Sequence, residues 1–434
     1  MLSPAEIRRI ITDPKIRPQD SPALVSAGNQ LMIEPQDLHL QEYFVQLLNR
    51  RLKQTAEVEA KDRLYANCPP RNTRLTTEPA IWGGSMVLTG DNLPLPLSKA
   101  SSGMVIAGLP GSGKTTLAML LVVQFVLAGA LVIVWDMKRT WRRLLRLPAL
   151  ADRMIVLSIL DLIWSLLQPT PGTGAQEWAN RFTKVFAQAY SRVSAQRILR
   201  ELIDELLAVC PPGCWPTPQM LIDRLKALQG KSFREKEYVS SVLWTLIDIT
   251  KHFPGCFEYT SSDFPARLFT QPGRLVVIEN NGAPIQHWSF PIYLAHEWIS
   301  AFRQNNLDAN RFDIIQVIED STSLLDPARD YESPGGVSLL AQNLDLGREM
   351  DIGTMAICHS IGQISPKVLH SLESIWACTL RGDNLSVAQQ VLGITREQAE
   401  YLRVNPKGTG CALVPTVWPL PVMIRWPPLL EALP

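Results

Sequence analysis

The sequence has 434 residues, of which 46% are apolar and 19% charged, so it is globular rather than disordered and long enough for two or three domains. The formal net charge of +1 excludes a basic surface over the whole molecule, so any DNA contact needs a local patch or a ring of subunits. Seven cysteines without repeated spacing predict reduced thiols. Their one close pair, Cys210 and Cys214, lacks a nearby second ligand pair and does not predict zinc binding.

Residues 1–80 are predicted to form a helical N-terminal region. Ser3, Pro4 and Glu6 fit a helix start with a hydroxyl cap, a first-turn proline and a capping-box glutamate. A longer helical pattern covers residues 36–65. Charges occur throughout the first 20 residues, without the apolar segment of a signal peptide, which indicates a cytoplasmic protein.

Short apolar runs separated by polar or glycine-rich turns begin near residue 83. Uninterrupted apolar strands are typical of a sheet buried on both faces, and the helical patterns between them indicate parallel pairing. We therefore predict an α/β fold, a mostly parallel sheet with helices on both faces, in two parts at residues 81–160 and 266–434. The predicted strands are 104–107, 131–135, 154–157, 275–278, 314–318, 354–358 and 375–380.

The segment between these parts, residues 161–265, contains helical patterns and no strand pattern. It is predicted to be an all-helical insertion, with helices near 176–192, 195–209, 217–228 and 235–251.

The apolar stretch 117–135 is almost long enough to cross a bilayer. It contains the break Gly129-Ala130 and directly follows the glycine-rich segment 108–115. A buried helix followed by a buried strand explains it better, so no integral membrane segment is predicted.

The segment 108–115 fits the pattern G-x-x-x-x-G-K-[ST] in full, between an apolar strand and a helix pattern. Its glycines allow backbone amides to point at phosphate oxygens, and the helix adds its positive N-terminal end. Lys114 is expected to reach the β- and γ-phosphates, and Thr115 to ligate Mg²⁺. We therefore predict ATP and Mg²⁺ as cofactors. The predicted nucleotide-binding residues are Gly108, Gly111, Ser112, Gly113, Lys114, Thr115 and Thr116.

A P-loop enzyme also needs a carboxylate at the tip of a nearby strand. The strand 314–318 is followed by Glu319 and Asp320, whose paired carboxylates suit metal binding and water activation. Glu279, after the strand 275–278, is the fallback.

At these residues the chain resembles the HerA–FtsK superfamily of P-loop motor ATPases, most closely the HerA-like proteins and the conjugation coupling ATPases. The resemblance covers residues 85–427. The ordered elements that carry it are the P-loop, Asp136-Met137-Lys138 after the next strand, the helical insertion, the strand ending in Glu279, the acidic strand, Gly347-Arg348-Glu349, the strand ending in Cys358-His359, and the tail 392–413.

The resemblance implies roles for individual residues. Glu319 stands at the position of the magnesium-binding carboxylate, Asp320 at that of the water-orienting one, and His359 where a sensor glutamine is expected. The order Glu-Asp is the reverse of the usual one, which puts fast hydrolysis in doubt more than nucleotide binding. Arg348 is the candidate arginine finger for a neighbouring subunit or, alternatively, a surface or salt-bridging arginine. Arg381 and Arg425, each of which simply follows an apolar strand, are weaker candidates.

Five cations lie within nine residues after the second strand of the core, and they could form a DNA-backbone track, an inter-subunit face or a solvated helix face. They are Lys138, Arg139, Arg142, Arg143 and Arg146.

By this resemblance we expect a motor subunit that hydrolyses ATP, forms a homo-oligomer (a hexamer) and moves DNA through its centre. Two alternatives remain open. One is a slow nucleotide-dependent switch that controls assembly with a partner such as a nuclease. The other is a coupling ATPase of the conjugation or secretion type.

Overall fold

The computed structural model describes residues 2–16, 18–64, 80–100, 102–192, 196–228, 233–256, 259–280, 282, 284–306, 312–331, 338–415 and 418–427. The chain divides into two compact units, Met1–Asn67 and Cys68–Pro434. The domain boundaries predicted from the sequence stay predictions.

The first unit contains the helices α1 (Pro4–Thr12), α2 (Pro22–Ile33) and α3 (Leu38–Leu64). The predicted capping box is present, since the Ser3 hydroxyl accepts a hydrogen bond from Glu6 N and the Glu6 carboxylate accepts one from Ser3 N. The helices share a small apolar core built on Ile7, Leu24 and Phe44.

The second unit is built on an 11-stranded sheet whose spatial order is β2-β1-β11-β10-β9-β3-β8-β7-β4-β6-β5. The strands are β1 (Ala80–Met86), β2 (Asn92–Pro96), β3 (Gly103–Ala107), β4 (Leu131–Asp136), β5 (Met154–Ser158), β6 (Leu275–Glu279), β7 (Ile314–Ile318), β8 (Ile352–Cys358), β9 (Leu372–Ala377), β10 (Thr409–Val414) and β11 (Trp418–Arg425).

Seven consecutive strands, from β9 to β5 in that order, pair in parallel. They correspond to the seven strands predicted from apolar runs, although the last begins and ends three residues earlier than predicted. The remaining four strands extend the sheet by antiparallel pairing beyond β9. The apolar strand predicted before Arg425 is β11, whereas β1, β2 and β10 were missed, because proline and glycine interrupt or flank their apolar residues.

Helices cover both faces of the sheet. On one face, α5 (Lys114–Leu127) shares its apolar core with Val132 and Val134 of β4. On the other face, Trp135 of the same strand makes an edge-to-face contact with Trp288 of α11 (Ile285–Asn305), with ring centroids 5.7 Å apart. Neighbouring residues of a strand point to opposite faces, so both faces of β4 are buried. The predicted α/β fold with two helical layers is confirmed.

The predicted helical insertion is also present. Between β5 and β6 the chain forms α6 (Ala175–Ala189), α7 (Gln196–Val209), α8 (Pro218–Ala227), α9 (Phe233–His252) and α10 (Phe264–Phe269). The other helices of this unit are α4 (Leu97–Ala100), α12 (Thr322–Leu325), α13 (Ala328–Tyr331), α14 (Leu339–Gly347), α15 (Pro366–Ser371), α16 (Asp383–Leu392) and α17 (Arg396–Val404).

The apolar stretch 117–135 forms most of α5 and β4, as predicted. Within the part of the chain that the structure describes, no helix has the length and apolar character needed to span a bilayer. The described cysteines are free thiols, as predicted from their irregular spacing.

Candidate nucleotide-binding site

The carboxyl ends of the parallel strands all lie along the same edge of the sheet, the edge at which these strands end. The register pairs Ala107 of β3 with Cys358 of β8, and Asp136 of β4 with Glu279 of β6. β8 lies between β3 and β7, so the loops after these three strands are neighbours. Residues widely separated in sequence therefore converge on a single cleft, as is usual at the carboxyl ends of an open α/β sheet.

The phosphate loop connects β3 to α5 and is anchored to the sheet on both sides. Gly108 N donates to Cys358 O at 3.2 Å, and Leu109 N donates to Thr379 O at 2.8 Å. A Cβ atom at Gly108 would lie 2.7 Å from Cys378 Cβ, a distance that excludes any side chain there. Gly113 has φ +100°, a left-handed conformation that favours glycine, immediately before the first turn of α5. The loop therefore depends on its glycines for both packing and conformation.

Lys114 is buried at the base of this loop. Its Nζ donates to the carbonyl oxygens of Gly108 (2.6 Å) and Leu109 (2.8 Å), and it lies 3.4 Å from His359 Nδ1. Burial lowers the pKa of the Lys114 ammonium. An ammonium that is held only by neutral groups in a buried cleft is suited to an anionic ligand such as phosphate.

Thr115 and Glu319 are in direct contact across the cleft. Thr115 Oγ1 donates to Glu319 Oε1 at 3.2 Å. Glu319 Oε2 is buried and, as a carboxylate oxygen, has no hydrogen-bond donor among the described residues. Burial first, and then repulsion by the buried Asp136, raise the pKa of Glu319 to about 8. A divalent cation beside Thr115 would satisfy the unpaired oxygen and favour the ionised carboxylate.

Asp320 is held between two cationic or protonatable side chains. Lys138 Nζ lies 2.9 Å from Asp320 Oδ2, and His359 Nε2 lies 3.0 Å from Asp320 Oδ1. Since His359 Nδ1 faces Lys114 Nζ, a neutral ring with the proton on Nε2 satisfies both contacts. Asp320 also has φ +48°, a conformation that aspartate tolerates better than most residues. The predicted water-orienting carboxylate is therefore fixed by a network of side chains.

Glu279, the fallback acidic residue, is placed elsewhere. It is 2% exposed and forms salt bridges with Arg139 Nε, at 3.1 Å, and with Arg142 NH2. Hydrogen bonds from Arg142, opposed by burial, lower the pKa of Glu279. Its carboxylate balances part of the basic cluster, and Glu319 rather than Glu279 lies beside Thr115. Arg143 and Arg146 are exposed, and within the described residues neither has an ion pair.

Arg348 lies at the opposite end of the strands, where the parallel strands begin. It precedes β8, whereas the cleft lies after β8, and seven residues of strand correspond to about 20 Å. Its NH2 lies 2.6 Å from Glu373 Oε1 at the start of β9. The structure therefore does not bring Arg348 to the cleft of its own chain. The weaker candidates Arg381 and Arg425 are exposed, and neither lines the cleft.

Three residues of the site were not chosen from the sequence. Lys138 contacts Asp320, and Lys407 lines the cleft from the loop before β10. Asp136 accepts hydrogen bonds from Lys138 N and Trp141 N, both at 2.9 Å, and so shapes the turn that presents Lys138. The sequence analysis included Asp136-Met137-Lys138 among the elements of the family resemblance but did not predict these contacts. Nothing in the local sequence of Lys407 indicates its position.

The resulting cleft has a volume of about 280 Å³. One side is formed by the phosphate loop and the first turn of α5, whose N-terminal amides have no intrahelical acceptor. The other side carries Glu319, Asp320 and His359. Basic and amide groups thus face carboxylates across one space, an arrangement that can hold a polyphosphate together with a divalent cation.

Comparisons with known proteins support the fold. No protein-family model matches the sequence, and no curated protein matches it. Among solved structures, VirB4 of Thermoanaerobacter pseudethanolicus aligns with a TM-score of 0.56 at 15% identity, over 82% of this chain and 98% of that chain. The unbound monoclinic form of the bacterial conjugative coupling protein TrwBdeltaN70 aligns with a TM-score of 0.58 at 15% identity, over 82% and 90%. The plasmid coupling protein TrwB in complex with ADP and Mg²⁺ aligns with a TM-score of 0.51 at 15% identity, over 83% and 86%. These similarities confirm the fold that the sequence resemblance implied.

Proposed function

We propose that this chain, which has the fold of the HerA–FtsK-type P-loop ATPases, is a Mg²⁺-dependent ATPase that works as a subunit of a ring-forming motor. The fold is confirmed, and the catalytic roles, the ring and the DNA substrate are parts of the proposal. ATP and Mg²⁺ are the expected cofactors, since TrwB has been solved with an ATP analogue and with ADP and Mg²⁺.

The observation that carries the proposal is the contact between Thr115 and Glu319 beside Lys114. A threonine hydroxyl and a carboxylate are hard oxygen ligands of the kind that Mg²⁺ prefers. The Glu319 oxygen that has no donor among the described residues fits a site for a cation. When bound, Mg²⁺ would neutralise charge on the phosphates. The amides after Gly113 and the Lys114 ammonium would bind the same phosphates from the other side.

Asp320 is the residue we assign to orienting the attacking water. Its carboxylate opens on the same cleft as Lys114 and Thr115, and the left-handed backbone at this position sets its direction. Lys138 and His359 restrict its rotamers, which preserves a defined geometry. His359 also contacts both Asp320 and Lys114. A movement of Lys114 in the phosphate loop can therefore shift the His359 ring and, through it, Asp320.

The proposal is tested by measuring ATP binding and steady-state hydrolysis with and without Mg²⁺. Glu319→Gln retains the size and hydrogen bonding of the side chain but removes its charge. We expect this variant to bind ATP and to lose hydrolysis by a factor on the order of 100, as is typical when a charge-stabilising group is removed. Unchanged Mg²⁺-dependent turnover in Glu319→Gln would refute the assignment.

The motor proposal rests on the shared fold and on the position of Arg348. An arginine at the edge opposite the cleft cannot serve its own chain, but it can reach the cleft of a neighbour in a ring. DNA as the moved substrate is proposed because exposed cations follow β4 at the nucleotide edge. A motor predicts turnover that rises at least several-fold when duplex DNA is added.

A slow assembly switch is the second candidate, and one observation favours it. Asp320 is held on both carboxylate oxygens by Lys138 and His359, so it is less available to accept a proton from water. The switch predicts tight ATP binding, slow turnover and no effect of DNA. Particle images with a non-hydrolysable ATP analogue and duplex DNA separate the two candidates. A closed ring around DNA supports the motor, and a monomer or dimer indifferent to DNA supports the switch.

A further inference from the structure

A second cluster of chemically competent side chains lies in the helical insertion, away from the nucleotide cleft. Asp248 and His252 are four residues apart on α9, so they lie on one face of the helix. His287 belongs to the first turn of α11. One ligand atom from each of these three side chains lies within 4.8 Å of the other two.

One of the three pairs already has a spacing close to that of two ligands on one metal ion, and the third ligand lies beside it. His287 Nε2 lies 2.9 Å from Asp248 Oδ2, and the rings of His252 and His287 stack with centroids 4.9 Å apart. Two ligands at metal distances of 2.0–2.2 Å in a tetrahedral site are separated by about 3.3 Å. Admitting an ion therefore requires His252, which is partly exposed, to turn a ring nitrogen towards the His287–Asp248 pair.

We propose that Asp248, His252 and His287 form a binding site for a divalent transition-metal ion, with Zn²⁺ as the best match. Two imidazole nitrogens and one carboxylate oxygen are a donor set that suits Zn²⁺ better than Mg²⁺ or Ca²⁺. Three protein ligands leave a fourth position for water or for a group from a partner molecule.

The space around Asp248 and His287 leaves room for a fourth metal ligand. Asp248 and His287 line a cavity of about 670 Å³, which is also lined by Tyr190 and Trp244. The Trp244 side chain is 66% exposed, so the cavity has an aromatic rim on the surface. A small ligand or a partner side chain could enter from this side and complete the coordination.

Tyr190 is placed to orient the buried histidine. His287 is 3% exposed, and its Nδ1 lies 3.3 Å from the Tyr190 hydroxyl. A hydroxyl can donate or accept, so Tyr190 can accept from Nδ1–H when Nε2 binds a metal. Hydrogen-bonded partners of this kind fix the tautomer of histidine ligands in metal sites. Tyr190 is thus a positioning residue.

His287 and Asp248 affect each other's ionisation. Burial lowers the pKa of His287, although the neighbouring Asp248 opposes this effect. Burial tends to raise the pKa of Asp248, but the hydrogen bond with His287 and the charge of Lys251 lower it overall. Lys251 Nζ, 3.6 Å from Asp248 Oδ1, competes for that carboxylate, but its side chain is 66% exposed and can move into solvent.

A bound metal would link α9 of the insertion to α11. Trp288 follows His287 directly and packs on Trp135 of β4, so the link would continue to the core of the sheet. We therefore expect bound Zn²⁺ to raise the thermal stability of the unit, since an ion that binds only the folded state stabilises it.

The test uses the full chain, stripped of metal by a chelator and kept free of nucleotide. Dialysis against Zn²⁺ followed by elemental analysis is expected to give one tightly bound equivalent. Co²⁺ substitution is expected to give the visible absorption of a four-coordinate site. His252→Gln and Asp248→Asn alter partly exposed residues and are expected to lose this equivalent. Tyr190→Phe is expected to weaken Zn²⁺ binding about tenfold, as for other hydrogen-bonded partners of metal ligands.

Three control variants exclude other zinc ligands. His370→Gln removes an exposed histidine, Glu319→Gln alters the nucleotide cleft, and Cys210→Ser with Cys214→Ser removes the close cysteine pair. Each control is expected to keep the bound equivalent and the stabilisation. The proposal is overturned if no stoichiometric binding occurs, if His252→Gln and Asp248→Asn bind as tightly as the original protein, or if binding is lost only in a control.

Discussion

Thr115 and Glu319 are 204 positions apart in the sequence, yet Thr115 Oγ1 donates to Glu319 Oε1 at 3.2 Å. The contact is possible because only β8 separates β3 from β7 in the sheet, so the loops after both strands meet at one edge. It places a P-loop hydroxyl and a buried carboxylate where they can bind the same cation. Its chemistry should therefore depend on the charge of Glu319 and on the presence of Mg²⁺.

The affinity for Mg²⁺ is expected to depend on pH through Glu319. Because the pKa of Glu319 is raised to about 8, a proton competes with Mg²⁺ below that pH. The apparent affinity, measured by titration of the ADP complex, should rise by up to about tenfold per pH unit towards pH 8 and then level off. Glu319→Gln should show weaker binding with a flat profile. A profile in the original protein that is flat between pH 6 and 8 would contradict this prediction.

The same pKa predicts a stability effect in the metal-free protein. Between about 4.5, the value for an unperturbed glutamate, and about 8, the folded state binds a proton at Glu319 that the unfolded state has lost. The free energy of unfolding should therefore fall as pH rises through this window. Denaturant titrations of Glu319→Gln should lack that part of the pH dependence. A decline of equal size in the variant would assign the effect to other groups.

Lys114→Ala is expected to abolish detectable ATP binding and to lower turnover by a factor on the order of 100 or more. The ammonium is the buried cation of the cleft, and its removal takes away the hydrogen bonds that it donates to the carbonyl oxygens of Gly108 and Leu109. Calorimetric titration with ATP and a phosphate-release assay measure the two effects. Lys226→Ala, which alters an exposed lysine of the insertion, is the matched control and should behave as the original protein.

Asp320→Asn is expected to separate catalysis from structure. Asparagine tolerates the left-handed backbone at this position as well as aspartate does, so the melting temperature should change little. Turnover should fall by a factor on the order of 100, while ATP affinity is retained, because the variant cannot accept a proton from water. Full activity in Asp320→Asn would remove this residue from the proposed mechanism.

Mixed assemblies test the proposed role of Arg348 in a neighbouring subunit. Arg348→Ala and Lys114→Ala subunits should each be inactive alone, because one lacks the finger and the other lacks the phosphate-binding lysine. When they are mixed, some clefts combine an intact lysine with an intact neighbouring arginine, and part of the activity should return. Glu373→Ala controls for loss of the Arg348–Glu373 ion pair and should stay active. A mixture without activity would argue against a finger supplied by the neighbour.

DNA binding is expected to depend on the exposed part of the basic cluster. Arg139 and Arg142 are paired with Glu279, so Arg143 and Arg146 are the better candidates for phosphate contacts. Replacing both with alanine should weaken duplex binding for all sequences and reduce the salt-dependence slope by about 0.9 for each lost contact. Alanine at Arg267 and Lys226, exposed cations of the insertion, is the control and should leave the slope unchanged.

Much of the fold could be predicted from the sequence, because the signals are local. The P-loop fixes a strand, a glycine-rich turn and a helix within a few residues of one another. The buried parallel strands are continuous apolar runs. The helices of the insertion show apolar residues at helical spacing. The antiparallel strands β1, β2 and β10 were missed, because their pattern is broken by proline and glycine and their pairing is decided by distant partners.

The sequence by itself determined the nucleotide loop, the α/β class and the choice of Glu319 and Asp320 as candidates. Only the tertiary structure decided that Glu319 rather than Glu279 lies beside Thr115, that Lys138 and His359 hold Asp320, and that Arg348 faces away from its own cleft. The physical reason is that strand order determines which loops become neighbours. Strand order in turn depends on contacts between residues far apart in the chain, which no local pattern records.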